Sequence, residues 1–296
     1  MNKKLLFLIL LILFFISGCA MNEIEEYAFV AGIGIDYKDD EFEVTFEIFE
    51  ENDGATTEQT SNIVINKGKV INEAVANITK SISQYAYLNH ALIIVLSESI
   101  IINKFEETLN YLIHDARIRS SCYVVVSKDD TTFNFLNKSQ ELKQVISYNV
   151  YKLLGRNVNY VGIWKRCKLK NVLDEYIKEN GSIIMPLVKY DESCVIDSVI
   201  IKNNNTNKII KCEIYELFVM QLFWNSLDEG MIYIDGDPFY IKGTSNKLKI
   251  KDNSINLECN IKLMSYETKD ENEKSAELNE KIKAMITKVF TDFQKS

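Results

Sequence analysis

The chain opens on Leu5–Ile16, twelve apolar residues without a break. Elsewhere the apolar positions recur with a strand or a helix period. Phe29–Tyr37 (FVAGIGIDY) is an apolar strand. Glu41–Phe49 alternates, with Phe42, Val44, Phe46 and Ile48 on one side and Glu43, Thr45 and Glu47 opposite. That is the period of a half-buried strand, and the two runs predict a hairpin across Lys38, Asp39 and Asp40. Residues 51–62 are polar and predict a loop. Apolar residues at 70, 71, 74, 75, 78 and 82 have helical spacing. Ala91–Leu96 and Ser121–Val126 are strands of the kind covered on both faces. Between them, Asn103 is placed to cap a helix carrying Phe105, Leu109 and Leu112 or Ile113.

Further on, residues 131–154 and Leu169–Ile177 read as helical, and Asn157–Ile163 as irregular. Ser182–Val188 is a strand through Pro186, which predicts a sheet edge. Val195–Ile201 and Lys208–Cys212 flank an Asn203-Asn204-Asn205 turn, and Tyr215–Trp224 is a short apolar helix. Met231–Ile234, Phe239–Ile241 and Lys247–Ile250 are short strands, and residues 255–263 alternate in a longer one. A final helix over about 272–294 aligns Leu278, Ile282, Met285, Ile286, Val289, Phe290 and Phe293 on one face, as a helix packed on a sheet does.

The elements predict an α+β protein of three consecutive mixed α/β domains, each a mixed or antiparallel sheet with packed helices. The expected boundaries are a mixed-sheet domain at 27–128, a smaller middle domain at 129–193, and an antiparallel sheet plus long helix at 194–296.

The opening run is too short to span a bilayer core, which needs about 20 apolar residues. Lys3 and Lys4 before it and small residues after it make residues 1–18 an export signal. Ile16-Ser17-Gly18-Cys19 is similar to the bacterial lipobox. In that pattern the Cys19 thiol receives a diacylglycerol and becomes the first mature residue, leaving 19–26 as a lipidated tether. Two acyl chains suffice for stable anchoring, because each buried methylene adds about 0.8 kcal/mol.

Past residue 18 the chain holds 32 basic and 42 acidic residues, a net charge of −10. Such a chain gains nothing from phosphate backbones, so nucleic acid is not an expected partner. The charge likewise assigns membrane contact to the anchor rather than to anionic lipid heads. Cys122, Cys167, Cys194, Cys212 and Cys259 form no CxxC pair and no zinc spacing, and five reduced thiols are expected.

Gly32-Ile33-Gly34-Ile35-Asp36 carries two glycines of a dinucleotide fingerprint, but Tyr37 holds the third glycine position and a hairpin turn replaces the helix. These glycines therefore read as sites of close packing in a strand. The two histidines, His90 and His114, have no nucleophile elbow and no ligand cluster around them. His114, Arg117 and Arg119 have an electrostatic reason to follow a helix C-terminus. No catalytic, metal or cofactor site is expected.

Two stretches carry a family resemblance. Glu23-Ile24-Glu25-Glu26-Tyr27-Ala28-Phe29-Val30 runs into Gly32-Ile33-Gly34-Ile35-Asp36, followed by the alternating strand. His114-Asp115-Ala116-Arg117-Ile118-Arg119 sits between a helix and a strand. With the lipobox, these resemble the Ger(x)C lipoproteins, the C subunits of bacterial spore germinant receptors, whose mature chains begin Cys-Trp-Asp-Arg-Arg-Glu-Ile-Asn-Glu before Gly-Ile-Gly-Ile-Asp. Relative to that family the last domain is shortened. The resemblance implies three mixed α/β domains and a non-enzymatic subunit, lipid-anchored through Cys19 on the outer face of the spore inner membrane. Its implied partners are two integral-membrane receptor subunits. Asp36, Asp115, Arg117 and Arg119 are candidates for a structural or interaction motif. A solute-binding lipoprotein of a transporter is the alternative, and it requires two lobes around a cleft. A surface-anchored hydrolase requires a nucleophile or metal cluster in one cleft.

Overall fold

A computed structural model describes residues 26–50, 60–155, 167–179, 181–190, 193–224, 230–234, 237–251, 254–263 and 271–295. The anchor segment with Cys19, residues 51–59 of the expected loop 51–62, and the irregular stretch 157–163 lie outside the described residues.

The fold is α+β. Strands β1 (Tyr27–Lys38), β2 (Glu41–Glu50) and β3 (Thr60–Gly68) form an antiparallel meander. The β1–β2 turn places Asp39 and Asp40 at φ 53° and 62°, a left-handed pair that suits a two-residue hairpin and that Asp tolerates. Helix α1 (Ile71–Ser81) then leads to β4 (Tyr85–Tyr87) and β5 (Ile93–Leu96), both parallel to β1. Helix α2 (Phe105–His114) connects β5 to the parallel β6 (Tyr123–Ser127). Helices α3 (Thr132–Leu142), α4 (Ile146–Gly155) and α5 (Leu169–Tyr176) precede β7 (Ser182–Tyr190), which is parallel to β6. Strands β8 (Cys194–Asn203) and β9 (Ile209–Glu213) finish the sheet antiparallel.

These strands make one sheet in the order β3-β2-β1-β5-β6-β7-β8-β9, with β4 beside the start of β1. Strands on either side of positions 128 and 193 are therefore neighbours in the same sheet. Helix α6 (Ile214–Trp224) follows. A separate antiparallel sheet of β10 (Gly230–Ile234), β11 (Asp237–Lys251) and β12 (Ser254–Leu263) comes next, then α7 (Glu271–Lys295).

The large sheet is covered on both faces. Phe42, Val44, Phe46, Ile33, Ile35, Ile94 and Val124 form one core with α1, α2 and α5. Ile93, Val95, Val125, Ile184 and Val199 form the other with α3, α4 and α6, and Leu278, Ile282 and Val289 of α7 belong to it. Thus the described part of the apolar stripe of the last helix, from Leu278 to Val289, is core.

Five expectations change. Strand β2 is not half-buried: Glu43, Thr45 and Glu47 are buried too, because α3 and α4 cover their face. A third strand begins at Thr60, inside the expected polar loop, because its backbone pairs with β2 from Glu50 to Phe42. Asn103 lies within a π-helical turn, Ile100–Lys104, so helical structure starts before it. Pro186 sits in an interior strand. The ladder to β6 covers Leu187 and Val188 alone, so Pro186 needs only the β8 side, where it faces Val199. Finally, Phe239–Ile241 and Lys247–Ile250 are one strand with a register shift between Ile241 and Gly243.

Gly34 tests the packing of this sheet. A Cβ there would overlap the Thr132 hydroxyl and come within 2.8 Å of the Thr132 Cβ. Gly34→Ala is expected to lower unfolding stability by about 1–3 kcal/mol, the usual range for overpacking, read from the urea midpoint.

Candidate functional site

On the α3/α4 face, β1 presents Gly32, Gly34 and Asp36, and β2 presents Glu47, Thr45 and Glu43 directly opposite them. Two buried carboxylates there meet two helix starts. Asp36, 3% exposed, accepts from the backbone N–H of Thr132 with both oxygens (3.1 and 3.0 Å) and from the Thr132 hydroxyl. Thr132 is the first residue of α3. Glu47, fully buried, accepts from the N–H of Ile146 and of Ser147 (2.8 Å each), at the start of α4, and from the Ser61 hydroxyl at 2.9 Å. The first N–H groups of a helix have no intrahelical partner and carry its positive dipole end, so a carboxylate satisfies both.

The glycines make room for this. A Cβ at Gly32 would overlap the Ser147 side chain, as one at Gly34 would overlap Thr132. Burial raises both carboxyls above their ordinary range, while the Thr132 donors at Asp36 and the Ser147, Ser61 and Ile146 donors at Glu47 act against it. At the outer rim of the same face Glu43 pairs with Lys67 of β3.

The second motif closes α2. Arg117 holds Asp115 in a forked ion pair, Nε to Oδ1 at 2.9 Å and Nη2 to Oδ2 at 2.7 Å. The Arg117 N–H and the Tyr111 hydroxyl also donate to that carboxylate, at 3.1 and 2.8 Å. Burial alone would raise the Asp115 carboxyl, but the bonds from Arg117 and Tyr111 outweigh it and hold it below the ordinary range. Burial and the Asp115 hydrogen bond together raise Tyr111. Ile118 buries its side chain and anchors the loop, while the Arg119 side chain is exposed. His114 places Nδ1 2.7 Å from the Asn110 carbonyl oxygen. His114 and Asp115 thus turn to different partners.

The structure does not bring Asp36 together with Asp115, Arg117 and Arg119. The first caps α3 from the sheet, and the others form the α2–β6 loop. Sequence reasoning missed Glu47, Thr132 and Ser147. The available signal was the spacing by two of Gly32, Gly34 and Asp36, which places them on one strand face.

Among the described residues no group of three or more His, Cys, Asp or Glu could hold a metal ion. Cys122, Cys167, Cys194 and Cys212 are free thiols, and burial pushes Cys167 up to about 12 and Cys122 up to about 11. A cleft of about 780 Å³ opens where β1 begins, lined by Tyr27, Phe29, Ile48, Phe49 and Ile82 among others. Among the described residues no helix is long and apolar enough to cross a membrane.

Two substitutions probe these sites. Glu47→Gln keeps one acceptor and turns an NH₂ toward helix N–H donors. It is expected to cost about 1–3 kcal/mol of stability at pH 7, the penalty for a buried group left unpaired, measured by urea unfolding. Arg117→Met removes a half-exposed ion pair whose expected contribution is about 1 kcal/mol. Because the folded Asp115 carboxyl lies below its unfolded value, that contribution is present above the ordinary carboxylate range and lost as pH falls through the folded value. The stability curves of the two chains should therefore separate at pH 7 and merge under strong acid.

Comparison with known proteins places these features. A family model described as "Spore germination protein N-terminal domain" matches residues 20–190, the span from before β1 to the end of β7. The chain is 26% identical over 252 residues to "Spore germination protein A3" of Bacillus subtilis (strain 168), which covers 80% of this chain and 65% of that protein. The chain thus spans about 65% of the length of that relative. No solved structure matches the chain significantly. With more than half of its residues, both capped carboxylates and the Asp115 loop inside the matched span, the chain belongs to the Ger(x)C family of spore germination proteins.

Proposed function

We propose that this chain is a lipid-anchored, non-enzymatic subunit of a spore germinant receptor complex. It acts through protein–protein contacts in nutrient-triggered germination. The observation that carries the reading is the family match over residues 20–190. Cys19, at the end of Ile16-Ser17-Gly18-Cys19, is the lipidated residue and the start of the mature protein. Two acyl chains on it hold the protein at the outer face of the spore inner membrane. Its partners there are two integral-membrane receptor subunits.

The described charged residues support a binding role over a chemical one. Asp36 and Glu47 are committed to helix starts, and Asp115 to Arg117 and Tyr111. Exposed surface, including the outer faces of the helices, is what remains for partners.

Co-purification tests this. A C-terminally tagged full chain, with Cys19 intact or as Cys19→Ala, is recovered from detergent-solubilised spore membranes. Two multi-spanning proteins are expected with the intact chain, and a marked loss of both with Cys19→Ala. Recovery of the intact chain without a membrane partner overturns the receptor reading.

A further inference from the structure

The strands β1, β4, β5 and β6 all run parallel, so they begin at one edge of the sheet. That edge carries a cluster of rings. Tyr27 lies 5.6 Å from Tyr87 and 6.2 Å from Tyr85, and Phe29 lies 5.6 Å from Tyr87 and 5.3 Å from His90. Tyr85 is 60% exposed, a large fraction for a ring held in such a cluster.

The surroundings are unusual for this chain. Charged residues make up 26% of the protein, yet residues 81–92, which carry β4 and lead into β5, hold no Asp, Glu, Lys or Arg. Serines, Gln84 and Asn89 supply the polar positions instead. The cleft at this edge has Glu50 as the single charged residue in its described lining. The α2–β6 loop is fastened to the same edge, because the Cys122 thiol donates to the Ala91 carbonyl at 2.9 Å. That loop carries the exposed Arg119, and Lys170 is bound to it through its N–H to the Ser120 carbonyl, at 2.9 Å. Glu26 and Glu50, both exposed, are the acidic residues at the start of β1 and the end of β2.

Tyrosine rings with one apolar and one hydroxyl end favour the bilayer interface, and exposed cations favour anionic headgroups. Position matters as much as chemistry. From Cys19 to Tyr27 the chain can reach about 29 Å at most. The opposite end of β1, at Lys38, lies about 36 Å further on by strand rise.

We propose that this edge of the sheet rests on the lipid bilayer. Tyr85 and Tyr27 sit in the headgroup layer, and Arg119 lies over anionic headgroups, a local contact beside the anchor that the net charge of −10 past residue 18 does not by itself predict. The proposal rests on lipidation of Cys19. It adds an orientation to the anchor: the start of β1 faces the membrane and the Asp39–Asp40 turn faces away.

The test uses the full chain reconstituted in phosphatidylcholine–phosphatidylglycerol vesicles, with and without bromine on the acyl chains. Tyr85→Trp and Lys38→Trp are each compared with the parent, which carries Trp164 and Trp224. Mass analysis of the Cys19 peptide is done on the same samples. The expected result is a lipid-modified Cys19, loss of most of the emission added by Tyr85→Trp, and none of that added by Lys38→Trp. A modified Cys19 with Tyr85→Trp unquenched overturns the docking and leaves the anchor in place. If that unquenched emission is also blue-shifted, the rings are covered by protein, such as a second copy, and not by lipid. An unmodified Cys19 overturns the anchor and, with it, the docking.

Discussion

A carboxylate taken out of water must be met by donors or it destabilises the fold. Among the described residues, one sheet face buries Asp36 and Glu47 and answers each with the start of a helix, while the buried Glu43 beside them pairs with Lys67. Much of the architecture follows from that arrangement. A helix start reaches a strand's carboxylate only if the helix end sits almost on the strand backbone. Hence β1 has glycine at 32 and 34, where side chains would strike Ser147 and Thr132. The donors lie 96 to 100 residues along the chain from their acceptors. The bonds therefore fix α3 and α4 on the N-terminal hairpin, and β6 and β7, which flank these helices in sequence, are placed with them.

The periods were legible in the sequence and the partners were not. Phe42, Val44, Phe46 and Ile48 share a face because a strand alternates, and that holds whatever packs on them. Whether Glu43, Thr45 and Glu47 face water depends on α3 and α4, which begin about 85 to 103 residues later. Local polarity suggested solvent, but for Glu47 the start of α4 supplied donors instead, and for Glu43 the partner was Lys67 of β3. Gly32 and Gly34 could be read as places of close approach, but not what approaches. The Pro186 rule failed for a related reason. An interior strand tolerates proline where one neighbour has not yet begun to pair, and only the register reveals that. Asp115 and Arg117 were easier, since a carboxylate at a helix end with an arginine two residues on closes a local fork.

The family assignment and the fold meet on the same residues. Gly-Ile-Gly-Ile-Asp is a motif of the sequence resemblance, and in the structure it is the floor and first cap of the helix-bearing face. The chain thus carries this motif where the sheet packs closely on two helix starts. A Cβ at 32 or 34 would overlap Ser147 or Thr132, and a carboxylate at position 36 satisfies the start of α3.

The place of β1 in the sheet has a mechanical consequence. It is hydrogen-bonded to β2 on one side and to β4 and β5 on the other. A force applied at Tyr27 along the strand axis loads these ladders in shear, with many bonds sharing the strain at once, rather than peeling them open one at a time. Tension along β1 is thus met by an interior strand paired with β2, β4 and β5.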